Sequence, residues 1–156
     1  MSRGEKEGDM MPISCIELLV EALKYYGIKE IPGPDHNASV VDFFHEIGYD
    51  HINDDETAWC SAFINYIAQK CGYESSGKLN ARSWLDVGNE ISLPFPGDIV
   101  IFWRGSKDSW TGHVGLYVNK LGSQIYVLGG NQSNQVNIYA YPESKLLGYR
   151  RLSKIV

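Results

Sequence analysis

The sequence predicts an α+β fold in which an N-terminal helical part packs on a C-terminal antiparallel sheet of five strands. Three observations carry this. Helical periodicity is confined to the first 88 residues. From Pro94-Phe95-Pro96-Gly97 onward it gives way to short alternating runs rich in Gly, β-branched and aromatic residues. The links between those runs are short and turn-rich, as antiparallel neighbours allow and parallel crossovers do not.

The elements follow in order. Ser14-Cys15-Ile16-Glu17 has the form of a capping box, and Ile16, Leu19, Val20 and Leu23 recur at helical spacing until Gly27 supplies a stop. A loop with Pro32, Gly33 and Pro34 comes next. Asn37 or Ser39 can cap a second short helix that carries Val40, Phe43, Phe44 and Ile47 before Gly48. Asp54-Asp55-Glu56 and Thr57 precede an apolar run, Ala58 to Ala68, ending near Gly72; acidic residues suit a helix N-terminus, where they meet unpaired N–H groups. Asn80 to Gly88 is expected as a fourth, short helix. The five strands are Asp98 to Trp103, His113 to Asn119, Gln124 to Leu128, Val136 to Tyr141 and Leu147 to Leu152. Residues 1–12 are expected to be a flexible N-terminal segment and residues 13–156 one catalytic domain. Neither an internal repeat nor a low-complexity segment is present.

Composition excludes several classes of function. A chain of 156 residues with 44% apolar and 12% aromatic content can bury one real core. Fourteen basic against nineteen acidic side chains leave a charge of -5, with no basic run or face to attract nucleic acid or anionic lipid. No apolar run approaches membrane-spanning length, and the start MSRGEKEGDMMPIS lacks the apolar region of a secretory signal, so synthesis in the cytoplasm as a soluble monomer is expected. Three cysteines, an odd and sparse set, do not make a disulfide scaffold, and at least one must be a free thiol.

Cys60 lies at the start of the third helix, where the dipole is expected to lower its pKa; a lone Cys in an apolar helix is, however, more often a buried structural residue, and position alone does not decide. Cys71 is eleven residues on, about 16 Å along the axis and out of disulfide reach, and is assigned to the core. Cys15 is assigned as structural or surface. A thiolate needs a base, and among His36, His45, His51 and His113 the last is singular, entering a strand between two glycines in Gly112-His113-Val114-Gly115. The next strand ends in Gly129-Gly130-Asn131-Gln132, which brings Asn131 within reach of His113 across a hairpin; Gly-Gly-Asn is equally a plain turn sequence. Trp59, Arg82, Trp84 and Trp110 are candidates for lining a sugar or peptide groove, Arg82 by bidentate pairing with a carboxylate, although a Trp at helical spacing is more often core. Pro34-Asp35-His36-Asn37 and the 51–56 stretch hold oxygen and imidazole ligands without zinc or EF-hand spacing, so no metal or other cofactor is assigned; a calcium site in the acidic stretch is the remaining alternative.

Taken together, DDETAWCSAFINYI, ARSWLDVG, PGDIVIFWRG, GHVGLYV, IYVLGGNQSNQVNIYAYP and LLGYRR resemble a phage- and bacteria-associated branch of the cysteine peptidases and amidases that cut peptidoglycan, related to NlpC-type and CHAP (cysteine- and histidine-dependent amidohydrolase/peptidase) domains. The resemblance runs from about residue 31 to Arg151. It implies a papain-like fold, with Cys60 as nucleophile, His113 as general base and Asn131 orienting the ring. Two departures stand out. NlpC-type domains place Asp directly before the cysteine, where this chain has Trp59; CHAP domains tend to carry an acid after the histidine, where it has Gly129 and Gly130.

The activity implied is a peptidoglycan hydrolase, either an N-acetylmuramoyl-L-alanine amidase or a stem-peptide endopeptidase, working by acyl transfer with the Cys60 N–H contributing to an oxyanion site. A non-catalytic wall-binding or phage-particle module of the same fold is the alternative; a papain-like protease or acyltransferase on other substrates is the third. Peptidoglycan is the implied partner, with an inhibitor or immunity protein and a secretion or lysis machine as further ones. The enzyme would reach the wall after lysis or delivery.

Overall fold

The computed structural model describes residues 10–31, 37–49 and 59–155. Three helices, α1 (Ile13–Leu23), α2 (Ala38–Glu46) and α3 (Cys60–Lys70), lead to a 3-10 helix at Ala81–Asp86. Six strands follow: β1 (Asn89–Ile91), β2 (Ile99–Trp103), β3 (Gly112–Leu121), β4 (Gln124–Gln132), β5 (Gln135–Pro142) and β6 (Leu146–Arg151). They form one sheet in the order β1-β6-β2-β3-β4-β5, and every pairing is antiparallel.

This is the expected α+β arrangement with one strand more than the five predicted. The extra strand, Asn89-Glu90-Ile91, is three mostly exposed residues on the edge beside β6, too short and polar to show an alternating pattern. The expected fourth helix is a 3-10 helix, and the second helix starts where Asn37 accepts a hydrogen bond from the Ser39 N–H at 2.8 Å. The capping box at Ser14 does not form. The first helix begins at Ile13 with Pro12 before it, which leaves Ser14 buried inside the first turn; Glu17 instead accepts from the Tyr73 hydroxyl and pairs with Lys154 at 3.3 Å. The acidic cluster Asp54-Asp55-Glu56, the loop at Pro32–Pro34, His36, His51 and both suggested oxygen-rich ligand stretches apart from Asn37 lie outside the described residues. Among the described residues, no three His, Cys, Asp or Glu side chains gather as a metal site would require, and no helix is long and apolar enough to cross a membrane.

The main core lies between the helices and one face of the sheet. Phe43, Phe44, Trp59, Phe63, Ile64, Ile67 and Trp84 meet Ile99, Ile101, Val114, Leu116 and Leu128 there. Ring contacts bind it, with Phe43 5.1 Å from Phe63 and 6.1 Å from Trp59. On the other face Val100, Phe102, Ile125, Val127 and Tyr149 form a smaller cluster. Tyr141 of β5 stacks on Phe102 of β2 at 5.0 Å although β3 and β4 intervene, so the sheet curves round this second cluster.

A buried polar knot ties the chain's first helix to its last strand. The Arg151 guanidinium donates to both Asp98 carboxylate oxygens, at 3.0 and 2.7 Å, and the Phe95 N–H and the Cys15 thiol donate to the same carboxylate at 2.8 and 3.2 Å. Burial and the neighbouring Asp98 charge push the Cys15 thiol up to about 12, so Cys15 is a structural donor. Cys71, half-buried at the end of α3, points its thiol at the Glu17 carbonyl; the three cysteines are all free.

Candidate active site

Cys60 is the first residue of α3 and only 7% exposed. Four described groups surround its sulfur: its own N–H and that of Ser61 at the helix start, the N–H of Val114 on β3, and the Arg104 charge. All four favour thiolate. Burial nevertheless outweighs them and holds the thiol above its ordinary pKa, which corrects the expectation that the helix start alone would lower it. In the resting protein near neutral pH Cys60 is therefore a thiol.

His113, next to Val114, is 1% exposed. Burial drives its pKa down to about 4; the hydrogen bond that the ring donates to Gln132 opposes this and the Arg104 charge adds to it. Its ring stacks on Tyr141 at 4.8 Å, making a Phe102–Tyr141–His113 pile that fixes the imidazole plane.

Gln132, and not Asn131, holds the ring. Gln132 Oε1 lies 2.9 Å from His113 Nε2. Which way this amide faces is fixed by its other end, because its NH₂ group meets three oxygens: the Val127 carbonyl at 3.0 Å, the Asn137 carbonyl at 2.8 Å and Asn137 Oδ1 at 3.0 Å. Oε1 is thus an acceptor, Nε2 carries the imidazole proton, and the lone pair resides on Nδ1. That nitrogen is buried with no hydrogen-bond partner among the described residues. A neutral imidazole with an unsatisfied basic nitrogen, next in the chain to the residue whose N–H reaches the Cys60 thiol, is competent to take a proton.

The replacement of Asn131 by Gln132 has a backbone cause. Regular alternation would put residue 131 on the same side as residue 129, beside His113. The β4–β5 register shifts between Gly129 and Gln132, and Asn131 is left-handed at φ 58°, so the alternation slips by one and Gln132 turns inward. Gly129 makes room: a Cβ there would lie 2.7 Å from Gln132 Oε1 and 3.5 Å from His113 Nε2.

Two of the three tryptophans expected in a groove are core. Trp59 is fully buried, its Nε1–H donating to Glu30 at 3.0 Å, and it packs so closely on Gly130 that a Cβ there would come within 2.8 Å of the ring. Trp84 is fully buried too and donates to Ser61 Oγ at 2.9 Å. Arg82 is not free to bind a carboxylate, because its guanidinium donates to the carbonyls of Thr111, Lys107 and Ser106 at 2.8, 2.8 and 3.0 Å and so braces the loop between β2 and β3. Trp110 lies apart from the core. It is 74% exposed on that loop and lines, with Leu79, Asn80, Ala81, Arg104 and Gly112, a groove of about 340 Å³ that opens on Cys60. Gln132 and Tyr141, against the His113 ring, and Arg104, in the groove lining, are neighbours of Cys60 and His113 that sequence reasoning did not single out.

The CHAP domain family matches residues 52–131, just over half of the chain and a span that includes Cys60, His113 and Asn131 but stops one residue short of Gln132. No curated protein matches the sequence. Among solved structures, a protein similar to an NLP/P60-family lipoprotein from Staphylococcus aureus is 22% identical with a TM-score of 0.52 over 91% of this chain. An NlpC/P60 family protein from Bacillus cereus is 16% identical with a TM-score of 0.56 over 94%. This chain spans 42% of the length of each, and at these identities the likeness speaks for the fold. The chain belongs to the CHAP domain family and has the papain-like fold that it shares with NlpC/P60 proteins.

Proposed function

We propose that the protein is a cysteine-dependent peptidoglycan hydrolase that cleaves an amide bond of the wall, as an N-acetylmuramoyl-L-alanine amidase or a stem-peptide endopeptidase. The observation that carries the reading is the neutral His113, its proton held on Nε2 by Gln132 and its Nδ1 unpartnered, one residue from the amide that reaches the Cys60 thiol, in a chain of the CHAP family.

In this reaction His113 Nδ1 takes the Cys60 proton as the sulfur attacks the amide carbonyl carbon, so the ion pair forms during attack and is not stored beforehand. The oxyanion is stabilised by N–H groups at the start of α3. Collapse breaks the C–N bond, and the amine leaves with the proton from His113. Water, deprotonated by the same nitrogen, then hydrolyses the thioester. Gln132 keeps the ring in the right tautomer and stabilises the imidazolium; it takes the part first assigned to Asn131. Trp110 offers a flat face to a sugar or peptide chain.

The test is product release from purified peptidoglycan by the wild type and Cys60→Ala, with mass spectrometry of the soluble fragments to identify the bond. Equal release by the two proteins would end the cysteine mechanism. The deep burial of Cys60 favours a second reading, a non-catalytic wall-binding module, which predicts binding to peptidoglycan with no fragments released by the wild type.

A further inference from the structure

The groove over Cys60 has an electrostatic character that the proposed reaction does not use. Among the described residues that line it, Arg104 carries the only charge. Arg104 is exposed, sits where β2 ends, and lies against the Tyr141 phenol. The ion pairs among the described residues are Lys24–Glu21, Lys120–Glu143, Arg151–Asp98 and Lys154–Glu17, so none of these residues gives Arg104 a carboxylate. Lys107 and Asp108, at the tip of the same loop, are exposed and stand outside the lining.

The loop holds the Arg104 backbone in place. The Arg104 N–H donates to the Thr111 carbonyl at 3.2 Å, while its own carbonyl accepts from Ser109 Oγ at 3.0 Å and Thr111 Oγ1 at 2.8 Å. Arg82 fastens the rest of the loop through three carbonyls. A guanidinium fixed at its root, hydrogen-bonded to the Tyr141 phenol and given no carboxylate partner among the described residues, with an exposed indole on the same wall, is a forked receptor for a planar anion.

We infer that Arg104 selects substrate: it binds a free carboxylate on the peptide close to the scissile amide, with Trp110 packing against the apolar part of the same residue. This deepens the proposed hydrolase function and rests on Cys60 being its nucleophile.

Two alkylating agents of nearly equal size isolate the effect. Iodoacetate carries a carboxylate where iodoacetamide carries an amide, so the ratio of their rates at Cys60 reports recognition of the charge and divides out the reactivity of the thiol. The ratio is read in the native full chain by mass spectrometry of the Cys60 peptide, with Cys71 as an internal reference. It should exceed the ratio for a small neutral thiol by about tenfold, fall to that value in Arg104→Gln, and lie between in Arg104→Lys, which keeps the charge but loses the fork. Circular dichroism checks that each variant is folded. In parallel, kcat/KM on a wall peptide with free carboxylates should exceed that on its amidated counterpart, and Arg104→Gln should remove the difference.

An unchanged iodoacetate-to-iodoacetamide ratio in Arg104→Gln overturns the inference. Failure of both reagents to label native Cys60 overturns it together with the cysteine mechanism. A ratio that follows Arg104 in a protein that releases nothing from peptidoglycan keeps the carboxylate site and removes only the wall as substrate.

Discussion

Replacing Gln132 with Ala tests the arrangement at its most specific point. Gln132, itself buried, makes one acceptor contact, to His113 Nε2, and its NH₂ group meets three oxygens, the buried Val127 carbonyl and two of the half-buried Asn137. Two separable effects are expected. The first is on chemistry: without Oε1, nothing described holds the proton on Nε2, and the tautomer with the proton on Nδ1 blocks the atom that must accept from Cys60. A hydrogen bond to the imidazolium contributes about 1.5–3 kcal/mol, so kcat should fall about 10- to 100-fold, and further if the wrong tautomer dominates. The second is on stability: leaving the His113 N–H and two carbonyls unsatisfied should cost about 2–4 kcal/mol, visible as an earlier urea midpoint. Activity is read as fragment release from peptidoglycan, and the tautomer from the ¹⁵N shifts of His113. A Gln132→Ala protein with wild-type kcat and the proton still on Nε2 would refute the reasoning.

Further expectations follow from the same geometry. Asn131→Ala should change kcat by less than about threefold, since its left-handed backbone turns it away from the ring; a loss matching that of Gln132→Ala would restore Asn131 to the orienting role. The His113 pKa of about 4 lies below the ordinary 6.5, so the folded state binds fewer protons than the unfolded one between these values. Activity should hold from neutrality to about pH 5 and fall through about pH 4 as Nδ1 protonates, and stability should decline by about 3 kcal/mol across the same window; a His113→Phe protein with the same acid decline in its urea midpoint would remove His113 as the cause. Asp98→Ala strands the Arg151 charge and should cost about 3–5 kcal/mol, measured by thermal unfolding, with the residual folded protein keeping its alkylation rate at Cys60. Trp84→Phe, which removes the bond to Ser61, should lower stability by about 1–3 kcal/mol and leave the KM for peptidoglycan unchanged; a raised KM would place Trp84 at the substrate after all.

The order of helices and strands was legible because each carries its own periodicity, and the positions of Cys60 and His113 were legible because they sit at element starts marked by local signals. What escaped depends on relations that no local pattern encodes. Asn131 and Gln132 are equally polar neighbours, and only a slip in the β4–β5 register decides which faces inward. Trp59, Trp84 and Trp110 look alike in sequence; two fill the core because Gly130 and Ser61 receive them, while the third stands on a loop. The different settings of Arg82 and Arg104 escaped for a similar reason. Carbonyls 24 to 29 residues further along the chain hold the first guanidinium, whereas the second emerges from a strand end into the groove over Cys60. The thiol's pKa went the opposite way from the dipole argument because burial, a property of the whole fold, outweighs a helix terminus.

The knot at Asp98 has an architectural consequence. Cys15 and Arg151 share one carboxylate, and Glu17 and Lys154 meet two residues beyond and three residues after them, so the two ends of the folded unit emerge side by side. A unit with adjacent ends can be spliced into a longer polypeptide, or have its ends joined and a new break opened elsewhere, without pulling the fold apart. Such a permutant, linked across residues 13 and 154 and reopened at the exposed β3–β4 turn around Gly122, should fold and keep the Cys60 groove intact.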